Sequence, residues 1–498
     1  MTRESLLRLA DAVLIPPFPG LTAPRWILDA LERGLGGVTI YGQNVLGDTS
    51  ALTASLLAAS PSLPPVIAID EEGGDVTRIA FQDGNPYPGN AALGAVDDTG
   101  LTEAVYRAIG RDLAALGFNL NLAPCADVLG VADSPAIGTR SFGSSTDLVA
   151  RHTVAAVHGL QGAGVAACAK HFPGHGSTST DSHLALATVS GSMAVIRERD
   201  LPPFTAAIAA GAAAVLPGHL RVPELTGDLP ATLSPAAVTG LLRGELGFTG
   251  VIISDALEMQ AIRDTYGIPG GAVLAVAAGV DLVCFGQDTD EAMYHAVREA
   301  LADAVLDGTL PLSRLEDAAN RVAALRAGFA DPAPVTASAN GLPDGIGGPD
   351  GIGIPAGIGL AGARRAIRMS GPRPTLTDPM IIEVEPRENM AAGPFAWGLS
   401  PWASPGSVRR VETADASDVP GIVAAASGRS LVVAVRDAHV DERTLALIKA
   451  LLAARPDTVL VEMGLPHWSP PEGTAYLATF GASRACAQAA AELLGLTG

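Results

Sequence analysis

Three histidines, a lysine and an aspartate crowd into KHFPGHGSTSTDSH, from Lys170 to His183, in a chain with only nine histidines. Asp181 and His183 stand two residues apart on a Gly-, Ser- and Thr-rich stretch. A carboxylate so placed can orient an imidazole and hold its pKa near neutrality, which suits proton transfer. Asp255 ends the apolar run VIISD. It is the clearest candidate for covalent or acid/base work, since a carboxylate there can aim its charge at a substrate; the alternative is a cap for a helix that begins at ALEM. Other polar groups follow the same pattern: Asp70 ends PVIAID, Asp127 follows NLAPC, Lys170 and His171 end VAACAKH, and His219 ends AVLPGH. Any one of these alone reads as a satisfied strand end; their repetition points to convergence on one face. His171, His175, Asp181 and His183 are also the ligand types of a zinc site. However, Pro173 and Gly174 keep His171 and His175 off a common helix face, and the first strand lacks an H-x-H. No metal and no other cofactor is therefore expected.

The elements that must position these groups alternate regularly. Apolar, β-rich runs begin near Ala12, Gly37, Pro65, Phe118, Val165, Ala214, Val251 and Asp281. Amphipathic stretches such as PRWILDALERG, TDLVARHTVAAVHGLQGAG and DEAMYHAVREALADAV lie between them. Eight β/α repeats within 1–330 predict a (β/α)8 TIM-type barrel, whose sites form where strands end. No G-x-G-x-x-G follows the first strand, so a dinucleotide fold lacks support. Residues 331–360 are rich in Gly and Pro without periodicity and predict a linker. Over 361–498, MIIEVEP, SLVVAVRD and TVLVEMG predict strands, and RTLALIKALLAARP and ASRACAQAAAELLG predict helices, giving a smaller α/β sandwich domain.

Composition limits the partners. The chain has 498 residues, with 32 basic against 52 acidic side chains and a net charge of -20. That charge argues against nucleic acid or an anionic membrane as partner. Its apolar runs are too short or too interrupted to span a bilayer. Glu4 and Asp11 fall where a secretory signal needs an apolar core, so a cytoplasmic location is expected. Cys125, Cys168, Cys284 and Cys486 lie far apart in apolar contexts, as buried thiols do.

KHFPGHGSTSTDSH, with DEEGG followed by Arg78, RSFG at Arg140 and VIISDALEM around Asp255, resembles glycoside hydrolase family 3, in its β-N-acetylglucosaminidase branch. The resemblance covers the barrel in motif order. It implies Asp255 as nucleophile and His183, oriented by Asp181, as acid/base. It also implies Asp70, Arg78, Arg140, Lys170 and His171 as groups that hold the non-reducing sugar, with His219 as an additional site residue. Carboxylate, guanidinium and ammonium groups suit directional contacts to hydroxyls and an acetamido carbonyl. The activity implied is a retaining, exo-acting β-N-acetylglucosaminidase acting on small carbohydrates such as muropeptide fragments. In this mechanism one histidine serves both proton transfers near pH 7. A phosphorylase or a broader β-glycosidase is the alternative, ahead of a metal-dependent hydrolase or a sugar-binding protein without turnover. Asp75 departs from the family, whose EGG stretch commonly continues with a basic residue.

Overall fold

In the computed structural model the described residues are all except 61, 132–133, 179–185, 190, 331–356, 387–390, 394, 413 and 497–498. By contacts the chain forms two compact units. The first is Met1–Glu72, Thr102–Ile137 and Ser144–Pro343; the second is Gly73–Leu101, Gly138–Gly143 and Asp344–Gly498.

In the first unit, each of the eight expected runs becomes a strand: β1 (Leu14–Ile15), β2 (Gly37–Ile40), β3 (Val66–Ile69), β4 (Leu120–Asn121), β5 (Ala166–Phe172), β6 (Ala214–Pro217), β7 (Val251–Ile252) and β8 (Val283–Cys284). Strands β2 to β7 pair in sequence order, all parallel. A parallel bridge between Ile253 and Leu282 continues the sheet to β8, and β8 pairs with β1. The ring closes where Thr39 N donates to Pro16 O and Thr39 Oγ1 donates to Ile15 O at 3.1 Å. Residues two apart on successive strands, Val66 and Ala68, Leu120 and Leu122, Ala166 and Cys168, Ala214 and Leu216, pack into one buried cluster. That is the period of side chains alternating across a strand, and it fills the barrel interior. The helices outside bury one stripe each, as Val149, Thr153, Ala156 and Leu160 do on Thr146–Gln161. All four cysteines are buried thiols outside any disulfide. Among the described residues no helix is long and apolar enough to cross a membrane.

The second unit is built on a six-stranded sheet of β9 (Arg368–Ser370), β10 (Met380–Val384), β11 (Val408–Val411), β12 (Leu431–Val435), β13 (Val459–Glu462) and β14 (Tyr476–Ala478). Its order is β9-β14-β13-β12-β10-β11, parallel except for β9. Ile382, Val433 and Leu460 pack on one face, and Ile381, Val432 and Val461 on the other. Both faces are therefore covered, as a parallel sheet requires. Of the expected linker, 331–356 lies outside the described residues, and helix Ile358–Ala366 begins within its last residues.

The second unit also takes two segments from the barrel stretch of the sequence. Ala92 of helix Asn90–Val96 packs in one cluster with Leu360, Ala363, Ala485 and Ala489. Close approach is built in: a Cβ on Gly94 would lie 1.8 Å from Phe142 O, and one on Gly359 would lie 2.1 Å from Pro86 O.

Candidate active site

Within the first unit, Asp70, Asp127, Lys170, His171, His219 and Asp255 all lie at or just past the carboxyl ends of barrel strands, the end at which such folds build their sites.

Lys170, near the end of β5, is 4% exposed and meets two carboxylates. Its Nζ donates to Asp70 Oδ1 and, at 2.7 Å, to Glu72 Oε1. Two carboxylates around one buried cation fix the ammonium. Asp70, at 26% side-chain exposure, is its most accessible member. Glu72, 2% exposed, belongs to this cluster, although the sequence reading attached no role to it.

The Lys170–His171 peptide is cis. Next along the chain, His171 is set by Asp127, which is wholly buried. His171 Nδ1 donates to Asp127 Oδ2 at 2.7 Å, its backbone N–H reaches both carboxylate oxygens, and His175 N donates to Oδ1 at 2.6 Å. Cys125 Sγ donates to Oδ2 at 3.1 Å. Burial alone would raise the Asp127 pKa, but the charges and N–H donors of His171 and His175 outweigh it and hold the carboxyl down at about 2. Asp127 thus works as an anchor. His175 joins the same structural group, with Nδ1 2.6 Å from Thr178 Oγ1 and its ring edge-on to His171. Cys125, Asp127 and His171 hold ligand atoms within 4.8 Å of one another, the one group of this kind among the described residues. A metal there would have to replace the two protons already shared with Oδ2.

Asp255 is half-buried just beyond β7, and its Oδ1 accepts from Ala256 N at 2.9 Å. His219 braces this turn. Its Nε2 lies 3.0 Å from Ala256 O, so that nitrogen carries the proton, while Nδ1 lies 3.0 Å from Thr232 Oγ1. Both ring nitrogens face protein atoms, which makes His219 a support for the Asp255 turn. Three residues on, Glu258 accepts from Gly286 N and Thr289 Oγ1, tying this loop to the one after β8. Burial, reinforced by the charge of Asp288, raises the Glu258 carboxyl to about 7. Its tether spans a sequence distance that no local pattern signals.

Arg78 and Arg140 belong to the second unit. Arg78 donates to Ala391 O at 2.9 Å and Ala392 O at 3.4 Å, and Arg140 O accepts from Asn90 Nδ2 at 2.7 Å. Asp75 is explained within the same unit. Its Oδ2 accepts from Arg436 Nη2 at 3.0 Å and Thr139 Oγ1 at 2.9 Å, and its Oδ1 accepts from Ala482 N at 2.9 Å. Asp181 and His183 lie outside the described residues.

A parallel eight-stranded barrel with carboxylate, lysine and histidine groups at its strand ends is the framework of a barrel enzyme. The model of the glycosyl hydrolase family 3 N terminal domain matches residues 25–325, and the chain belongs to that family and is a glycoside hydrolase. Beta-hexosaminidase A of Pseudoalteromonas piscicida is 32% identical over 61% of this chain and 55% of its own length, so the match spans about half of that relative. Beta-hexosaminidase of Stenotrophomonas maltophilia (strain K279a) is 36% identical over 55% of this chain and 84% of its own length. Among solved structures, a family 3 beta-N-acetylglucosaminidase from Paenibacillus sp. str. FPU-7 is 32% identical, with a TM-score of 0.85 over 99% of this chain and 97% of that one. The barrel and the α/β sandwich are thus both matched by that structure.

Proposed function

We propose that the protein is a retaining, exo-acting β-N-acetylglucosaminidase that releases N-acetylglucosamine from β-linked amino-sugar glycans such as peptidoglycan fragments. The observation that carries the reading is Asp255: a half-buried carboxylate just past an apolar barrel strand, held by Ala256 N, in a family 3 chain whose relatives are named beta-hexosaminidases. In this reading Asp255 attacks the anomeric carbon and the leaving oxygen takes a proton from His183. The glycosyl-enzyme is then cleaved by water, which gives its proton back to His183. Asp181 orients the imidazole and stabilises its charged form. Asp70, Lys170, His171, Arg78 and Arg140 hold the sugar. Charge-assisted hydrogen bonds from groups already fixed, Lys170 by Glu72 and His171 by Asp127, lose little freedom when substrate arrives.

The test is turnover of nitrophenyl β-N-acetylglucosaminide against the matching glucoside, in chelator, with products resolved with and without phosphate. The amino-sugar substrate should be cleaved much faster, giving free N-acetylglucosamine. Equal rates on both sugars, or formation of a sugar phosphate when phosphate is supplied, would replace this reading with a broader glycosidase or a phosphorylase. Asp255→Ala should lower kcat by about 10³-fold or more while the protein remains folded, because the substitution removes the attacking group and little packing.

A further inference from the structure

We infer that the buried pair of Asp75 and Arg436 positions the segments bearing Arg78 and Arg140, and with them the grip of these two arginines on the sugar. The inference rests on the proposed role of those two arginines and deepens it.

The side chains of Asp75 and Arg436 are 4% and 10% exposed and meet at 3.0 Å. The one Asp75 carboxylate gathers three donors from distant parts of the sequence. Arg436 directly follows β12, Ala482 precedes helix Arg484–Leu494, and Thr139 is the neighbour of Arg140. It therefore joins residues 73–78 and 138–140 to both the sheet and the last helix of the second unit. The guanidinium is itself fixed, lying 4.7 Å over the Phe395 ring and 6.0 Å from that of Trp397. Three residues beyond Asp75, Arg78 is held by the carbonyls of Ala391 and Ala392. Asn90, which holds Arg140 O, begins the helix that packs on Leu360 and Ala363. Apart from the Thr139 bond, these tethers reach into residues beyond 358 or into the helix packed on them. A basic residue at position 75 would face Arg436 with like charge in a dry site. The aspartate here is thus matched to Arg436, and its carboxylate has the acceptors that three converging donors require.

A grip on the sugar formed in ground state and transition state alike appears in KM more than in kcat. Asp75→Asn, Arg436→Gln and the double variant, in the full chain, should each raise KM for nitrophenyl β-N-acetylglucosaminide by about tenfold or more, with kcat altered by less than about threefold, at a temperature well below each variant's unfolding midpoint. The double variant should be no worse than the poorer single one, because both remove one interaction. Inhibition by free N-acetylglucosamine should weaken in parallel. Arg436→Lys, which keeps charge but not the planar fork, should fall between the wild type and Arg436→Gln, and it carries the test if the others do not fold. Folded variants with KM within twofold of wild type, or an additive double variant, would overturn the inference, as would an Arg436→Lys protein with unaltered KM. A wild-type protein inactive on the substrate would instead strike the proposed function itself.

Discussion

Asp127 and His183 mark two ways in which a single residue sets chemistry. Asp127 is an acceptor for at least three N–H groups and a thiol, wholly buried. Asparagine in its place keeps one acceptor oxygen and turns an NH2 toward donors, leaving buried groups unsatisfied. Asp127→Asn should therefore destabilise the protein by about 3 kcal/mol in urea unfolding and weaken sugar binding through the loss of His171 orientation. An unchanged midpoint would show that Asp127 is not an anchor. Because its folded pKa is depressed to about 2, the stability it contributes is present above pH 4 and is lost as pH falls through the folded value. His183 is tested by the leaving group. A nitrophenolate departs largely unaided, whereas a sugar alcohol needs a proton. His183→Ala should consequently lose far more activity on a β-N-acetylglucosaminyl disaccharide than on the nitrophenyl substrate, and Asp181→Ala should show the same pattern more mildly. Azide, which needs no general base, should speed the nitrophenyl reaction and give a β-glycosyl azide. An α product or equal losses on both substrates would rule out His183 as acid/base.

At the scale of elements, the loop after β7 is held from two sides, by His219 on Ala256 and by Glu258 on Gly286 and Thr289. The Glu258 carboxyl is raised from 4.5 to about 7, so between those values the folded protein binds more protons than the unfolded chain, and stability falls as pH rises. Glu258→Gln is insensitive to this proton, and other titrations cancel in the comparison. The wild type should thus lose stability relative to Glu258→Gln by on the order of 3 kcal/mol between pH 4 and pH 8. Parallel unfolding curves across that range would show that the carboxyl titrates normally. The elements themselves were largely legible: the eight barrel runs and the three long strands of the sandwich are apolar enough to stand out in sequence. Missed were β9, whose residues Arg368, Met369 and Ser370 are all exposed, and β11, an edge strand carrying Arg409 and Arg410, because edge strands lack the buried pattern, and β14, a buried strand of only three residues that is too short to stand out as a run. Strand-end placement marked Asp70, Lys170 and His171 as candidate site residues. Glu72, Glu258 and the partner of Asp75 were hidden because their roles depend on contacts across tens to hundreds of residues.

For the whole molecule, the sequence suggested one boundary near residue 330, but the contacts assign 73–101 and 138–143 to the unit that holds the C-terminal sheet. The reason is packing that no local pattern reveals. Ala92 shares a buried cluster with Leu360, Ala363, Ala366, Ala485, Cys486 and Ala489, and Asp75 needs Arg436 and Ala482 N. A chain cut after Ala330 keeps every barrel strand and loses all of these partners. It would leave the apolar face of helix Asn90–Val96 and a previously buried carboxylate open to water, with Arg78 lacking the carbonyls of Ala391 and Ala392. Exposed apolar surface of this kind promotes association. Residues 1–330 expressed alone should therefore sediment as aggregates or bind a hydrophobic dye strongly, and any soluble fraction should turn over nitrophenyl β-N-acetylglucosaminide at least about 100-fold less efficiently, by kcat/KM, than the full chain. Adding the 357–498 fragment in trans should restore part of that activity if the loss arises from missing packing partners. A monomeric truncated protein with kcat/KM within about threefold of the full chain would show that the barrel holds those two segments without help.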